Sequence, residues 1–144
     1  MPLTNFGAIL NFAEKVEQDD MEFYRQASKN PAAGHHQEML ATFAMESKKH
    51  ISLIQRTRRE NVTEMILEPI RDFVRNSYQL TSDDAVAMDS AAILAAAVAL
   101  EKRAICYYSD AAEKMRALAE VSRALKTLAK KRTQRLGQVE SLSA

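Results

Sequence analysis

The sequence predicts an all-α fold of four long amphipathic helices, paired into two hairpins and joined by a long crossover. Three observations predict it. Ala, Leu, Glu, Lys, Arg and Gln, the strong helix formers, dominate a chain with 3 Gly and 3 Pro in 144 residues. Apolar residues recur at steps of three and four through four separate windows. Pro31, Pro69 and the polar stretch "QLTSDD" all fall between those windows.

The first helix is expected from about Asn5 to Lys29, with Thr4 or Asn5 as its cap. Its inner face runs Phe6, Ile9 or Leu10, Ala13, Glu17, Asp20, Tyr24, Ala27. "NPAAG" (30–34) ends it, because a residue before proline resists the helical region and Gly34 loosens the chain. The second helix follows from about His36 to Arg58, with Leu40, Phe43, Ser47, His50 and Ile54 on one face. A connection from Arg59 to Asp89 then has room for a short amphipathic helix in "VTEMILEPIRDFVRN", kinked or broken at Pro69.

The third helix begins near Asp89 or Ser90, both good caps, and aligns Leu94, Val98, Glu101, Ile105, Tyr108 and Ala112. The fourth runs from about Ala119 to Leu142 and aligns Val121, Leu125, Leu128, Arg132, Arg135, Val139 and Leu142. The turn between them, about 114–118, holds no Gly or Pro. The whole chain, 1–144, reads as a single bundle domain.

Composition excludes several classes. The net charge is +1, from 20 basic and 19 acidic residues, so nothing global favours nucleic acid or an anionic membrane. The longest apolar run, Ala91 to Leu100, is too short to cross a bilayer. One cysteine, Cys106, allows no intramolecular disulfide, and the first ten residues lack a basic segment followed by an apolar one. A cytoplasmic protein is expected.

The informative residues are the polar ones on the apolar faces. Glu17 and Asp20 sit mid-face on the first helix, Ser47 and His50 on the second, Glu101 on the third, Arg132 and Arg135 on the fourth. Buried charges must pair, bind something or reach water. A shared polar layer at mid-height satisfies all of them together. The halves also repeat: Glu17, Tyr24 and Ala27 recur as Glu101, Tyr108 and Ala111, while Ser47, His50 and Ile54 align with Arg132, Arg135 and Val139.

"FAEKVEQDDMEFYRQA", "FAMESKKHISLI" and "ALEKRAICYYSDAA" resemble the helices of ferritin-like proteins, the rubrerythrin branch in particular. In that family each half supplies one Glu from its first helix and a Glu-x-x-His pair from its second, and the six side chains hold two irons. The resemblance maps Glu17 and Glu101 onto the single carboxylates and His50 onto one imidazole. Ser47 stands where a bridging Glu is expected, Arg132 replaces the other, and Arg135 replaces the second His. Glu46 is one position off, about 100° round the helix. Arginine stays protonated and cannot ligate.

The sequence therefore predicts guanidinium groups in place of the cations. Glu101 is expected to pair with Arg132 or Arg135, and Glu17 with His50 or an arginine, while the Tyr24 and Tyr108 hydroxyls reach the layer. The expected function is non-catalytic, in binding or assembly, with no cofactor and as a homo-oligomer such as a dimer. Two alternatives stay open. One is an iron oxidoreductase acting on peroxide or oxygen; Glu17, Asp20 and His50 could hold a single iron or zinc. The other is a binder of a small anion at the internal arginines Arg132 and Arg135. A protein partner is also open.

Overall fold

A computed structural model describes residues 6–60 and 89–143. Helix α1 spans Phe6–Ser28, a 3-10 helix Pro31–His36, α2 Gln37–Glu60, α3 Ser90–Lys114 and α4 Ala119–Ser143. Helices α1 and α2 pack closely as one hairpin and α3 and α4 as the other. Across the hairpins α2 meets α4 and α1 meets α3, along sparser seams. The expected cap at Thr4 or Asn5 and the amphipathic stretch after Asn61 lie outside the described residues. No described helix is long and apolar enough to cross a membrane.

The boundaries have local causes. Asn30 is extended and its side chain accepts from the Ala32 amide at 2.9 Å, with Pro31 opening the 3-10 turn. Gly34 takes φ 58 and ψ −127, which turns the chain from that 3-10 segment into α2. The second α-helix therefore starts at Gln37, one residue later than the periodicity suggests. Asp89 caps α3, accepting from the Ala92 amide at 2.8 Å. The α3–α4 turn needs no glycine: Met115 and Leu118 close it through backbone bonds, Leu118 N–H to Met115 O at 2.9 Å.

The core divides into two apolar clusters. One gathers Ile9, Phe12, Val16, Ile54, Tyr107, Leu125 and Leu128; the other gathers Phe23, Leu40, Phe43, Ile93, Leu100 and Val139. Along α3 the fully buried Ala97, Ala104 and Ala111 repeat every seven residues and let the neighbouring helices approach. Three expected core positions differ. Val98 and Ile105 are half-buried, because Ala97 and Ala104 hold the centre of the α3 face. Leu142 is 38% exposed, because the last turn of α4 runs past the packed part of the bundle.

Candidate functional site

Between the two apolar clusters lies a layer of buried charge. Glu17, Asp20, Ser47, Glu101 and Arg132 are all fully buried, with Arg135 2% and His50 6% exposed. Helical periodicity puts each on an inward face, and the pairing of hairpins brings the four faces to one height.

Arg132 is the hub. Its Nε donates to Glu17 Oε2 at 3.1 Å, its Nη1 to Glu101 Oε2 at 2.6 Å, and its Nη2 to Asp20 Oδ2. One guanidinium thus binds three carboxylates from two helices, using all three of its nitrogens. Arg103, from α3, reaches Asp20 Oδ1 at 2.5 Å, so Asp20 bridges two arginines. Arg135 is held less tightly. Its Nη1 lies 3.2 Å from Ser47 Oγ and 3.4 Å from Glu101 Oε2, and its Nη2 lies 3.4 Å from Phe43 O and Glu46 Oε1. Its guanidinium carbon stands 4.9 Å from the Phe43 ring centre and 5.4 Å from that of Tyr24.

The repeat in the sequence is a repeat in space. The Tyr108 hydroxyl donates to Glu17 Oε2, and the Tyr24 hydroxyl donates to Glu101 Oε2. Each half's tyrosine serves the other half's glutamate. His50 Nδ1 donates to Glu17 Oε1 at 3.0 Å, and Arg135, its counterpart, turns to Glu101. Ser47, the counterpart of Arg132, is small enough to leave room for the Arg135 fork. Both expected glutamate pairings are realised, with Glu101 taking both arginines and Glu17 taking His50 as well as Arg132.

Charge balances in the layer. Glu17, Asp20 and Glu101 face Arg103, Arg132 and Arg135, with His50 beside them. Burial pushes the Glu17 carboxyl up, but Arg132, His50 and Tyr108 outweigh it and hold the group down to about 2. Burial also raises Asp20, and Glu17 and Glu101 add to the rise. Arg132 and Arg103 offset part of this and leave Asp20 at about 6. Burial disfavours a charged Arg132, yet Glu17, Glu101 and Asp20 drive its pKa well above the usual value. Both tyrosines are pushed well up, by burial first and then by the glutamates they bind, so they remain donors.

Arg103 escaped the sequence reading because it lies two residues beyond Glu101, off the periodic inner face. The available signal was weak: Asp20 is a third acid on the faces against two arginines there, and its counterpart in the second half is Ala104. Tyr107 was also missed; it is buried against Phe12 and donates to Ile9 O at 2.6 Å. Cys106 is exposed, beside Asp110 at 3.6 Å; burial and that carboxylate raise its thiol, so nothing activates it.

The positions that the resemblance assigns to a bridging Glu and to the second His hold Arg132 and Arg135, whose guanidinium groups cannot ligate. Among the described residues no three His, Cys, Asp or Glu side chains are arranged to hold a metal ion. Arg132 links Glu17 to Asp20, and His50 Nδ1 bonds Glu17 Oε1. Each nitrogen of Arg132 already faces a carboxylate.

No curated protein and no solved structure gives a significant match. A family model described as a ferritin-like domain matches residues 7–134, from the first turn of α1 into the second half of α4, and covers every residue of the polar layer except Arg135. With four long helices in two hairpins among the described residues and the layer at mid-bundle, the chain belongs to the ferritin-like family.

Proposed function

We propose that the protein is a rubrerythrin-like member of this family whose di-iron centre has been replaced by guanidinium groups, and that it works in binding or assembly rather than in catalysis. One observation carries this reading: Arg132, fully buried, binds Glu17, Asp20 and Glu101 at once. A guanidinium so placed neutralises the carboxylates that the resemblance assigns to metal and cannot itself ligate. Ser47 adds to it, because the bridging carboxylate expected there is absent and its space serves Arg135. The layer then acts as a structural clamp joining the two hairpins. Self-association as a homodimer, in the cytoplasm, belongs to the same reading, and light scattering of the purified chain tests the dimer.

The deciding experiment is elemental analysis by mass spectrometry. Protein is purified without chelator or affinity tag and measured before and after anaerobic iron loading. Trace metal in both samples is the expected result. A stoichiometric metal that disappears in His50→Ala or Glu17→Gln would overturn the reading and favour an iron protein acting on peroxide or oxygen.

A further inference from the structure

The hairpins meet loosely along the α2–α4 seam, and a cleft of about 620 Å³ opens there, bordering the polar layer at His50 and Arg135. Lys49, Arg56 and Arg59 line it from α2, and Lys131 and Arg135 line it from α4. Against these five cations the lining holds a single acid, Glu46. Arg56 has Glu60 at 3.4 Å and Arg135 has Glu46 at 3.4 Å. Among the described residues no ion pair engages Lys49, Arg59 or Lys131. In a chain with a net charge of +1, this is a concentrated excess of positive charge in a concave site.

A second observation points the same way. Arg135 lines the cleft, is 2% exposed, and its buried Nε has no hydrogen-bond partner among the described residues. Its Nη contacts are long, at 3.2–3.4 Å, whereas Arg132 beside it reaches Glu101 at 2.6 Å. A nearly buried guanidinium with long contacts, lining a basic cleft, can turn its donors toward an anion that enters.

We propose that this cleft binds a small phosphoanion carrying two or more phosphate groups, held by Lys49 and Lys131 on opposite walls and by Arg135 at the floor. Cations on both walls suit a ligand with several negative charges better than a single carboxylate. The volume falls within the roughly 300–1,000 Å³ usual for small-molecule sites. Arg135 is shared with the layer, but Lys49 and Lys131 lie outside it, so variants at the two lysines test this site separately from the metal content of the layer.

Calorimetric titration of the full chain with inorganic tripolyphosphate at low salt tests the proposal. One saturable site per chain is expected. Lys49→Ala/Lys131→Ala, both exposed and outside the layer, should weaken it about tenfold or more. Lys102→Ala/Lys114→Ala, which removes the same charge from the exposed surface of α3, should leave it unchanged. No saturable heat would overturn the proposal, as would equal weakening by both pairs, which marks unspecific charge attraction. Binding of a single-stranded oligonucleotide without binding of tripolyphosphate would overturn it too.

Discussion

Arg132→Met removes the hub with little change in side-chain length, so its cost reports charge rather than a hole in the core. In the wild type three buried carboxylates face three buried or nearly buried guanidinium groups. Without Arg132 they face Arg103 and Arg135, and one negative charge is uncompensated. Breaking a buried pair costs about 3–5 kcal/mol, a large share of a domain's total of about 5–15 kcal/mol. For a chain of this size that lowers Tm by roughly 10–15 °C. Urea unfolding at about pH 7 and about pH 5 is the assay. The freed carboxylates acquire raised pKa values in the folded variant, so the variant gains stability as pH falls and the deficit shrinks on acidification. Adding Glu101→Gln restores the charge balance, so the double variant should be less destabilised than the sum of the singles. A loss under about 1 kcal/mol at neutral pH, or one that is the same at both pH values, would refute the hub.

Three further outcomes are expected. Glu17 lies below its ordinary value, so its stabilising contribution is present above about pH 4.5 and is lost toward pH 2. Asp20 lies above its own, so it adds stability as pH falls from about 6 toward 4. Each swing is on the order of 3 kcal/mol; Glu17→Gln should erase the acid limb and Asp20→Asn the limb between pH 6 and 4, as read by urea midpoints across pH. Gly34→Ala should cost about 1–3 kcal/mol from backbone strain alone, since an added Cβ at φ 58 meets nothing within 4 Å, and thermal melts will show it. Asp89→Ala should cost about 1 kcal/mol by removing the α3 cap, with amide exchange accelerating at Ala92.

The four helices and the charged layer were legible in the sequence because both follow from period. Steps of three and four put Glu17, His50, Glu101 and Arg132 on inward faces whatever the neighbours are, and burial then obliges them to pair. Ser47, Arg132 and Arg135 fall on the same inward faces, at positions where the resemblance expects ligands, so their place in the layer was legible for the same reason. The end of α4 was not legible, because the pattern continues to Leu142 after the packing partner has ended.

The sequence by itself determined the fold class and the height of the polar layer. Only the tertiary structure decided that Arg132, rather than Arg135, takes three carboxylates, that Arg103 reaches Asp20 from outside the periodic face, and that each tyrosine crosses to the other half's glutamate. Periodicity fixes where a Cα faces; it does not fix where a guanidinium at the end of a long, rotatable side chain comes to rest. That depends on which carboxylates the packed helices bring within hydrogen-bond reach, and on what space a neighbour such as Ser47 leaves open.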